Sequence, residues 1–241
     1  MYFHDYFVQG CDAFILLTSS STKRTDGPNS LLRRYEVIDD AKTRLEAAYL
    51  GTKGASWKVP IGWRDGRVSL ASETANFPAS RDSIELQKQK FTDKGLNDQD
   101  LVALVCDHTI GTSACQFFSD KLYNFNTTTG NGVDFFIEPA FFPHLQAFCP
   151  KKNDANRHVA LDTSSPNTFN ASFFKNLKNG RGILESDKKL WTNDFTKSYM
   201  QRFLGIRGLQ ALNFNMEFGK SMVKMSNIGV KTTVQSCGIG H

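Results

Sequence analysis

A short capped segment that ends in a histidine constrains this chain more than any other stretch. Asn97 followed by Asp100 matches a helix N-cap with an acidic residue at the third helical position. Apolar residues then recur at helical spacing: Leu101, Leu104 and Val105. His108 continues this stripe one turn later, and Gly111 is a plausible end of the helix. The pattern predicts a buried helix that carries a histidine near its carboxyl end.

The same periodicity recurs along the chain, and it predicts a mainly α protein. Further helices are expected over 115–122, 138–148, 165–177, 193–203 and 211–225. Loops rich in glycine, asparagine and threonine separate them, and residues 126–133 form the longest. There is no internal repeat and no clear linker, so a single domain is expected.

Composition narrows the class of protein further. With 241 residues, 40% hydrophobic and 22% charged, the chain can bury one or two sizeable cores. No run of about 18 uncharged apolar residues predicts a membrane span, and no basic and apolar leader predicts a signal peptide. The net charge of +5 is dispersed, and Arg33 and Arg34 fit a solvated helix start. Neither nucleic acid nor a membrane is therefore an expected partner.

Five cysteines are present, and none forms a CxxC pair, which argues against a zinc site. They are Cys11, Cys106, Cys115, Cys149 and Cys237. An odd number leaves at least one thiol single. Glycosylation sequons begin at Asn126 and Asn170, and they are typical of a secreted glycoprotein.

The histidines can act in catalysis or metal binding only if suitable residues lie next to them. His108 on an apolar stripe fits either a hydrogen-bonded core residue or a ligand. Cys106 lies two residues away from it, and on a helix the two side chains point in different directions, which disfavours a joint site. His4 and Asp5 are adjacent near the start of the chain, where they could form a surface pair or part of a site.

Two groups of oxygen-bearing residues could bind a hard cation. Asp5 and Asp12 flank Gly10 with backbone carbonyls between them, an arrangement that suits Ca²⁺ but does not match an EF-hand loop. A second group consists of Thr109, Asp162, Ser165 and Asn170. The segment DTSSPNTFN, which holds most of that group, fits a capped turn before a helix equally well.

Read together, these stretches resemble the plant secretory (class III) haem peroxidases along nearly the whole chain. Residues 4–12, HDYFVQGCD, resemble the distal signature, and residues 100–111, DLVALVCDHTIG, resemble the proximal one. Supporting stretches are RRYEVIDDAK, PIGWRDGR, ALDTSSPNTF, ESDKKLW and SMVKMSNIGV. The resemblance implies a mainly α fold with haem b between two halves. Residues 1–77 would be the remnant of the distal half, and residues 78–241 mostly the proximal half.

The resemblance also assigns roles to individual residues. His108 would be the axial ligand of the haem iron, and Asp187 would hold its other ring nitrogen. The distal acid/base, the amide that orients it and the ring over the haem would be His4, Asn29 and Phe3. Pro78 would lie where small phenolic donors approach. The implied reaction is the oxidation of such donors by hydrogen peroxide in a secreted monomer that takes part in the response to oxidative stress.

Up to two Ca²⁺ ions and one disulfide follow from the same resemblance. The distal ion would be bound by Asp5, Asp12 and the carbonyls of Val8 and Gly10. The proximal ion would be bound by Thr109, Asp162, Ser165, Thr168 and Asn170. Both sites are expected to be weakened. At the proximal site Asn170 is a neutral amide where the family has a carboxylate. At the distal site Phe14 replaces a hydroxyl ligand of the family, and Lys23 stands where the family has an acidic residue. Cys115 and Cys149 match one disulfide of the family.

The chain also departs from the family pattern. The family's distal arginine would precede the position of Met1, and a family helix is missing between Ala48 and Tyr49. The family partners of Cys11 and Cys237 are missing too. Loss of one preorganised charge lowers turnover by about 10²–10³-fold, so an N-terminally truncated and impaired peroxidase is expected. The alternative is a catalytically inactive remnant that acts as a haem-binding or interaction protein.

Overall fold

The computed structural model describes residues 53–58, 70–125, 132–151, 157–206 and 210–230. Its α-helices are α1 (Ile84–Thr92), α2 (Asp98–Val105), α3 (Ser119–Tyr123), α4 (Phe142–Phe148), α5 (Ser172–Lys178), α6 (Glu185–Thr192), α7 (Asp194–Phe203) and α8 (Phe214–Ser226). Short 3₁₀ helices span Ala71–Asn76, Cys106–Thr109 and Cys115–Phe117. Strands β1 (Thr112–Ala114) and β2 (His158–Ala160) pair antiparallel, with Thr112 opposite Ala160. The predicted mainly α class is confirmed.

Helix α2 lies at the centre of this arrangement and begins as predicted. The Asn97 side chain accepts a hydrogen bond from the Asp100 amide at 2.9 Å, and the Asp100 carboxylate accepts one from the Asn97 amide at 3.0 Å. The same carboxylate also binds Ser221 and Lys224 of α8 at 2.8 and 2.9 Å. One acidic residue therefore caps α2 and fixes it against α8.

The larger hydrophobic core surrounds α2 and is rich in phenylalanine. Leu101, Val102 and Ala103 of α2 are fully buried. Rings from α5, α7 and α8 pack together above them, with Phe174 stacked on Phe203 at a centroid distance of 5.2 Å. Burial of one such side chain stabilises the fold by about 1.5–3 kcal/mol. This core holds α2 rigidly, and with it the turn that follows.

A smaller core lies beside the first and is closed by a disulfide. Cys115 and Cys149 are joined, with their Cα atoms 5.5 Å apart. The buried side chains packed around them come from α3, α4, β2 and their flanks: Phe118, Leu122, Ile137, Phe141, Leu145, Val159 and Ile183. Ile183 precedes α6, so this core also supports the start of that helix.

Some predicted helices differ from the observed ones. The segment 165–177 was expected to be helical throughout, but its helix α5 begins only at Ser172. Ser165 instead turns back to bind Asp162, and Pro166 does not favour a continuous helix at this point. The predicted helix over 115–122 is divided at Phe118, whose φ of −141° is not helical. The prediction was wrong for those parts, whereas α7 and α8 follow it closely.

Candidate functional site

The turn that carries His108 is built at the end of α2. After Val105 the α-helix tightens into the 3₁₀ helix Cys106–Thr109, and the chain then leaves the core toward β1. Gly111 takes a φ of +112°, which a residue with a side chain rarely adopts, and this lets the chain turn sharply. Cys106 and Thr109 are fully buried, whereas the side chain of His108 is 33% exposed. The turn thus presents the imidazole at the edge of the core.

His108 is paired with Asp187 of α6. Its Nδ1 lies 3.1 and 3.2 Å from the two carboxylate oxygens. Asp187 is 1% exposed and accepts only, so Nδ1 carries the proton that it donates. The edge of the Phe173 ring also contacts the imidazole, with centroids 5.9 Å apart at 82°. These contacts fix both the tautomer and the plane of the ring.

Two opposing effects act on the pKa of His108. Burial disfavours the imidazolium and lowers the pKa, whereas the charge of Asp187 and the hydrogen bond to it raise the pKa. The pKa of His108 is raised overall above its ordinary value of 6.5. Burial is the largest single effect, but the charge and hydrogen bond of Asp187 and the charge of Asp107 together outweigh it and make the imidazole more basic.

Asp187 is held in place by contacts on both sides of it. The Ser186 amide donates to the Ser80 carbonyl at 2.9 Å, which links α6 to the loop that contains Pro78. Gln87 of α1 is almost fully buried, and its amide reaches the Ser186 carbonyl at 3.4 Å. The first turn of α6 is thereby fixed to the neighbouring loop and helix. This fixation places the Asp187 carboxylate against the histidine.

Pro78 is half-buried and lies on the loop that contacts α6. Phe77 before it is buried, and the Phe77 carbonyl accepts a hydrogen bond from Lys90 at 2.6 Å. Lys90 also pairs with Asp82 at 2.8 Å. Pro78 therefore lies on a fixed loop. Ser80 of the same loop accepts a hydrogen bond from Ser186, which directly precedes Asp187.

The pair fits an iron porphyrin on chemical grounds. Nδ1 of His108 faces the buried carboxylate, and no hydrogen bond from the described residues reaches Nε2. A metal-ligating imidazole characteristically donates its other N–H to a carboxylate in this way. The geometry of the His108 and Asp187 side chains therefore fits a haem group bound through Nε2.

A second buried carboxylate, Asp162, is surrounded by neutral donors. It is fully buried between β2 and α5. Oδ1 accepts from the Ser164 amide at 2.9 Å, the Ser165 amide at 3.2 Å and the Asn176 side chain at 2.6 Å. Oδ2 accepts from the hydroxyls of Thr109 at 3.3 Å, Ser165 at 2.9 Å and Ser172. Its direct partners in the described residues carry no positive charge.

The predicted proximal cation ligands lie together around Asp162. Thr109 also donates to the Thr168 carbonyl at 3.4 Å, and Ser165 contacts the Asn170 side chain. Oxygen donors of this kind fit Ca²⁺. Asp162 is the one carboxylate of this set, and no cluster of three or more His, Cys, Asp or Glu residues suited to a metal occurs in the described ranges. The donor chemistry fits a hard cation that is bound mostly by neutral oxygens.

The distal site residues lie outside the described residues. This applies to Phe3, His4, Asn29, Asp5, Val8, Gly10 and Asp12, and to Cys11 and Cys237. The junction between Ala48 and Tyr49 lies outside them as well. Among the described cysteines, Cys106 is a buried free thiol, and burial together with nearby acidic charges raises its pKa well above the usual range.

Several residues around the site were not predicted from the sequence. Ser172 and Asn176 complete the set of donors to Asp162, and a sequon was the only signal at Ser172. Lys121, Asp134 and Lys188 form an ion network beside α6. No local pattern indicates that network, because its members are brought together by the tertiary fold.

Comparison with known proteins agrees with the fold and the site. The peroxidase family model matches residues 1–205. Peroxidase N1 of Nicotiana tabacum is 52% identical over 250 residues, covering 96% of this chain and 75% of the relative. Peroxidase 71 and Peroxidase 25 of Arabidopsis thaliana are 48% and 47% identical, and they cover 96% and 97% of this chain and 74% and 76% of their own lengths. The first aligned region exceeds the 241 residues of this chain, so the tobacco protein has residues without a counterpart here.

A helical oxidoreductase with a carboxylate-bound histidine is the class that the fold and the site define. The chain belongs to the peroxidase family, in its plant secretory (class III) branch. Proteins of this family are haem enzymes that use hydrogen peroxide. Within the described residues, no helix has both the length and the apolar character that a membrane span requires.

Proposed function

We propose that this chain is a haem b peroxidase that oxidises small phenolic donors with hydrogen peroxide, and that His108 is its axial ligand. The pairing of His108 with buried Asp187 is the observation that carries this proposal. A histidine that is held through Nδ1 and free at Nε2 within the described residues is prepared to bind a metal. The family membership supports haem iron as that metal.

When bound, the haem supplies the iron that is oxidised by hydrogen peroxide and then reduced by two donor molecules, one electron from each. Asp187 holds the proton on Nδ1, so that the lone pair of Nε2 would be available to the iron. The hydrogen bond increases the electron density on the imidazole, which favours the higher oxidation states of the metal. We therefore assign to His108 and Asp187 the role of stabilising the higher oxidation states of the iron.

We assign the proton transfers to the distal residues on the basis of the family resemblance. His4 would take the first proton of the peroxide and deliver it to the departing oxygen, with Asn29 orienting its ring. Phe3 would cover the distal face of the haem. Pro78 would border the entry of the phenolic donor. The hydrogen bond between the Pro78 loop and α6 supports this assignment, because it ties that loop to the proximal side of the site.

Calcium and secretion complete the proposal. Thr109, Asp162, Ser165, Thr168 and Asn170 would hold one Ca²⁺, and Asp5, Val8, Gly10 and Asp12 a second. The proximal assignment is supported by the convergence of its oxygens on one buried carboxylate. A monomeric extracellular protein is proposed from the disulfide and from the secretory branch of the family. Residues 1–77 would contribute the distal half and residues 78–241 most of the proximal half.

The haem assignment is tested by reconstituting the full chain with haem and Ca²⁺ and recording its optical spectrum. We expect a Soret band typical of histidine-ligated haem, its loss in His108→Gly, and its recovery when imidazole is added to that variant. His144→Gly is the matched control, since His144 is an exposed histidine on α4. A normal band in His108→Gly without imidazole would contradict the assignment.

The peroxidase activity is tested with the same preparations. Oxidation of a simple phenol should require hydrogen peroxide and should be lost in His4→Ala. A chain that binds haem through His108 but oxidises no phenol would support the alternative of a haem-binding protein without catalysis. A chain that takes up no haem would support a remnant that acts, if at all, through interactions.

A further inference from the structure

The sequon at Asn170 is a sequence motif that the proposed reaction does not use. It consists of Asn170, Ala171 and Ser172, and all three are described residues. A sequon marks the asparagine that accepts an N-linked glycan, and such asparagines usually lie on surface loops. Here the sequon contacts the Asp162 cluster, which consists of this buried aspartate and the residues that donate hydrogen bonds to it: Thr109, Ser164, Ser165, Ser172 and Asn176.

The nitrogen that would carry the glycan is bonded to this cluster. Nδ2 of half-buried Asn170 donates to the Ser165 hydroxyl at 3.1 Å, and Oδ1 accepts from the Ser172 amide at 2.6 Å. The Ser165 hydroxyl in turn donates to the Asp162 carboxylate at 2.9 Å. The acceptor nitrogen is therefore held two hydrogen bonds away from the buried carboxylate.

The hydroxyl of the sequon is engaged as well. Ser172 donates its hydroxyl to Asp162, and the same hydroxyl lies 2.5 Å from that of Ser165. A sequon is complete only with a hydroxyl residue at this position. In the closed cluster, both side chains that define the acceptor are therefore bonded within the fold.

Glycan transfer changes the nitrogen that bonds to Ser165. Nδ2 of Asn170 forms a bond to the anomeric carbon of an oligosaccharide carried on a lipid diphosphate. The bond from that carbon to the diphosphate breaks, and the released diphosphate and the proton lost from Nδ2 complete the balance. The added group is bulky, and the 3.1 Å between Nδ2 and the Ser165 hydroxyl leaves no space for a sugar ring. The modified amide therefore has to turn out of the cluster.

The cluster can close early in the life of the chain, because most of its members are near one another in sequence. Ser172 follows Asp162 by 10 positions and Asn176 by 14. Closing a loop of about ten residues takes about 10–100 ns. Synthesis adds only about 5–20 residues per second. Closure is therefore fast enough to compete with glycan transfer while the chain is still being made.

We propose that Asn170 is an N-glycosylation site that accepts its glycan only before the Asp162 cluster closes, and that the glycan then keeps the cluster open. The glycan and the closed cluster are alternative states of the same loop. One fraction of the chains should carry the glycan, and the other should have the closed cluster of the structure. This inference rests on the proposed secretion, because the transferase acts in the secretory pathway.

Site occupancy in a secretory host tests the competition. The full chain is expressed with a cleavable leader peptide, and glycosylation of Asn170 is measured by peptide mass spectrometry of the cellular protein before export. We expect partial occupancy in the wild type. Asp162→Asn should raise the ratio of glycosylated to unmodified peptide several-fold, because it weakens the cluster. Asp187→Asn is the matched control, since Asp187 pairs with His108 instead, and its ratio should equal that of the wild type.

The chain provides its own standard for this measurement. The second sequon begins at Asn126, and its occupancy should be the same in all these chains. If Asp162→Asn is degraded in the host, Ser165→Ala gives the same comparison, since it removes the hydrogen-bond partner of Nδ2.

Stability tests whether the glycan excludes the closed cluster. Asn126→Gln leaves Asn170 in the one remaining sequon. The haem-free chain with this substitution is compared with and without its glycan, the unglycosylated form being made in a bacterial host. Asp162→Asn should lower the midpoint of urea unfolding clearly in the unglycosylated chain and hardly at all in the glycosylated one, where the cluster is already open. Asp187→Asn should lower it equally in both.

Three results would overturn the proposal. An Asn170 that stays unmodified in the wild type and in Asp162→Asn, although the leader is removed, is not an acceptor. Equal occupancy in Asp162→Asn and Asp187→Asn would mean that the cluster does not compete with transfer. A full loss of stability from Asp162→Asn in the glycosylated chain would mean that glycan and closed cluster coexist. Neither experiment requires haem, so failure here would leave the proposed peroxidase function standing.

Discussion

Two buried carboxylates, Asp162 and Asp187, contact adjacent residues of the His108 turn, and their hydrogen-bonding groups are satisfied in different ways. Asp162 accepts hydrogen bonds from hydroxyls, backbone amides and an amide side chain, all of them neutral. Asp187 faces a titratable imidazole, whose Nδ1 lies 3.1 Å from its carboxylate. The first arrangement concentrates negative charge that a cation can neutralise, whereas the second directs negative charge at one proton. The same region of the fold therefore surrounds one aspartate with neutral donors and pairs the other with a histidine.

The largest expected effect is the loss of stability on removal of Asp162. Asp162→Ala would leave several buried donors unsatisfied, at about 1–3 kcal/mol each before relaxation. We expect the free energy of unfolding of the haem-free chain to fall by about 3–5 kcal/mol. Asp187→Ala should cost less, because its partner His108 is 33% exposed and can bind water. Urea unfolding measures both, and a larger loss for Asp187→Ala would contradict the comparison.

Stabilisation of the chain by Ca²⁺ should depend on Asp162 and not on Asp187. Saturation at 100 times the dissociation constant should stabilise the wild-type chain by about 2.7 kcal/mol for one ion. Asp162→Asn should abolish the part of this effect that is due to the proximal site, and Asp187→Asn should leave it unchanged. Asn170→Asp should bind Ca²⁺ about tenfold more tightly, equivalent to about 1.4 kcal/mol, because it restores a second carboxylate.

Thermal unfolding with Ca²⁺ and with a chelator measures this effect, and Mg²⁺ serves as the control ion. A calcium response that survives Asp162→Asn in full would assign the ion to another part of the chain. An Asn170→Asp variant with unchanged affinity would show that Asn170 does not face the ion.

A matched pair of serine variants should show a smaller contrast. Ser172→Ala removes a direct hydroxyl donor to Asp162, so it should cost about 1 kcal/mol. Ser186→Ala removes a contact of 3.4 Å to Asp187, which is near the limit of a hydrogen bond, and its cost should stay within about 0.5 kcal/mol. Chemical unfolding of the haem-free variants measures the difference. Equal costs would mean that the two carboxylates depend on their hydroxyl partners to the same degree.

The smallest expected effect is a pH dependence of stability that arises from the pairing of His108 with Asp187. The folded-state pKa of His108 is raised above the unfolded value of about 6.5 by Asp187. The pair therefore stabilises the haem-free chain fully below about pH 6.5, and this stabilisation is lost as the pH rises through the folded-state pKa. The stability difference between wild type and Asp187→Asn should shrink over that window. A difference for Asp187→Asn that grows with pH would contradict the assignment.

Local signals in the sequence predicted the helix before His108 and a histidine near its carboxyl end, whereas the ligand role of that histidine followed only from the resemblance. The cap at Asn97 and the apolar stripe of α2 depend only on neighbours within a few residues, and the structure has both. The tightening of the chain at Cys106 was not predicted, because an α-helical period was extended through His108. The helical pattern predicted for 165–171 is not observed. Buried Asp162 accepts hydrogen bonds from the Ser164 and Ser165 amides, and these contacts hold the chain in a turn.

Contacts between distant segments could not be predicted from local sequence patterns. The resemblance named Asp187 as the partner of His108, which lies 79 positions away, whereas spacing alone did not. It gave no indication of Lys188 and Asp134, which lie 54 positions apart and form a contact specified by tertiary packing. The assignments to His4, Asn29 and Phe3 stay predictions, since these residues lie outside the described part of the chain.

The most direct test of the account is the iron–imidazole vibration of the reconstituted ferrous chain with and without ¹⁵N-labelled histidine. If His108 binds the iron and Asp187 draws its Nδ1 proton, the band should shift on labelling and disappear in His108→Gly. It should move to lower frequency in Asp187→Asn, because the proton on Nδ1 is then drawn less strongly. A band that persists in His108→Gly, or one that ignores the loss of the Asp187 carboxylate, would contradict the account.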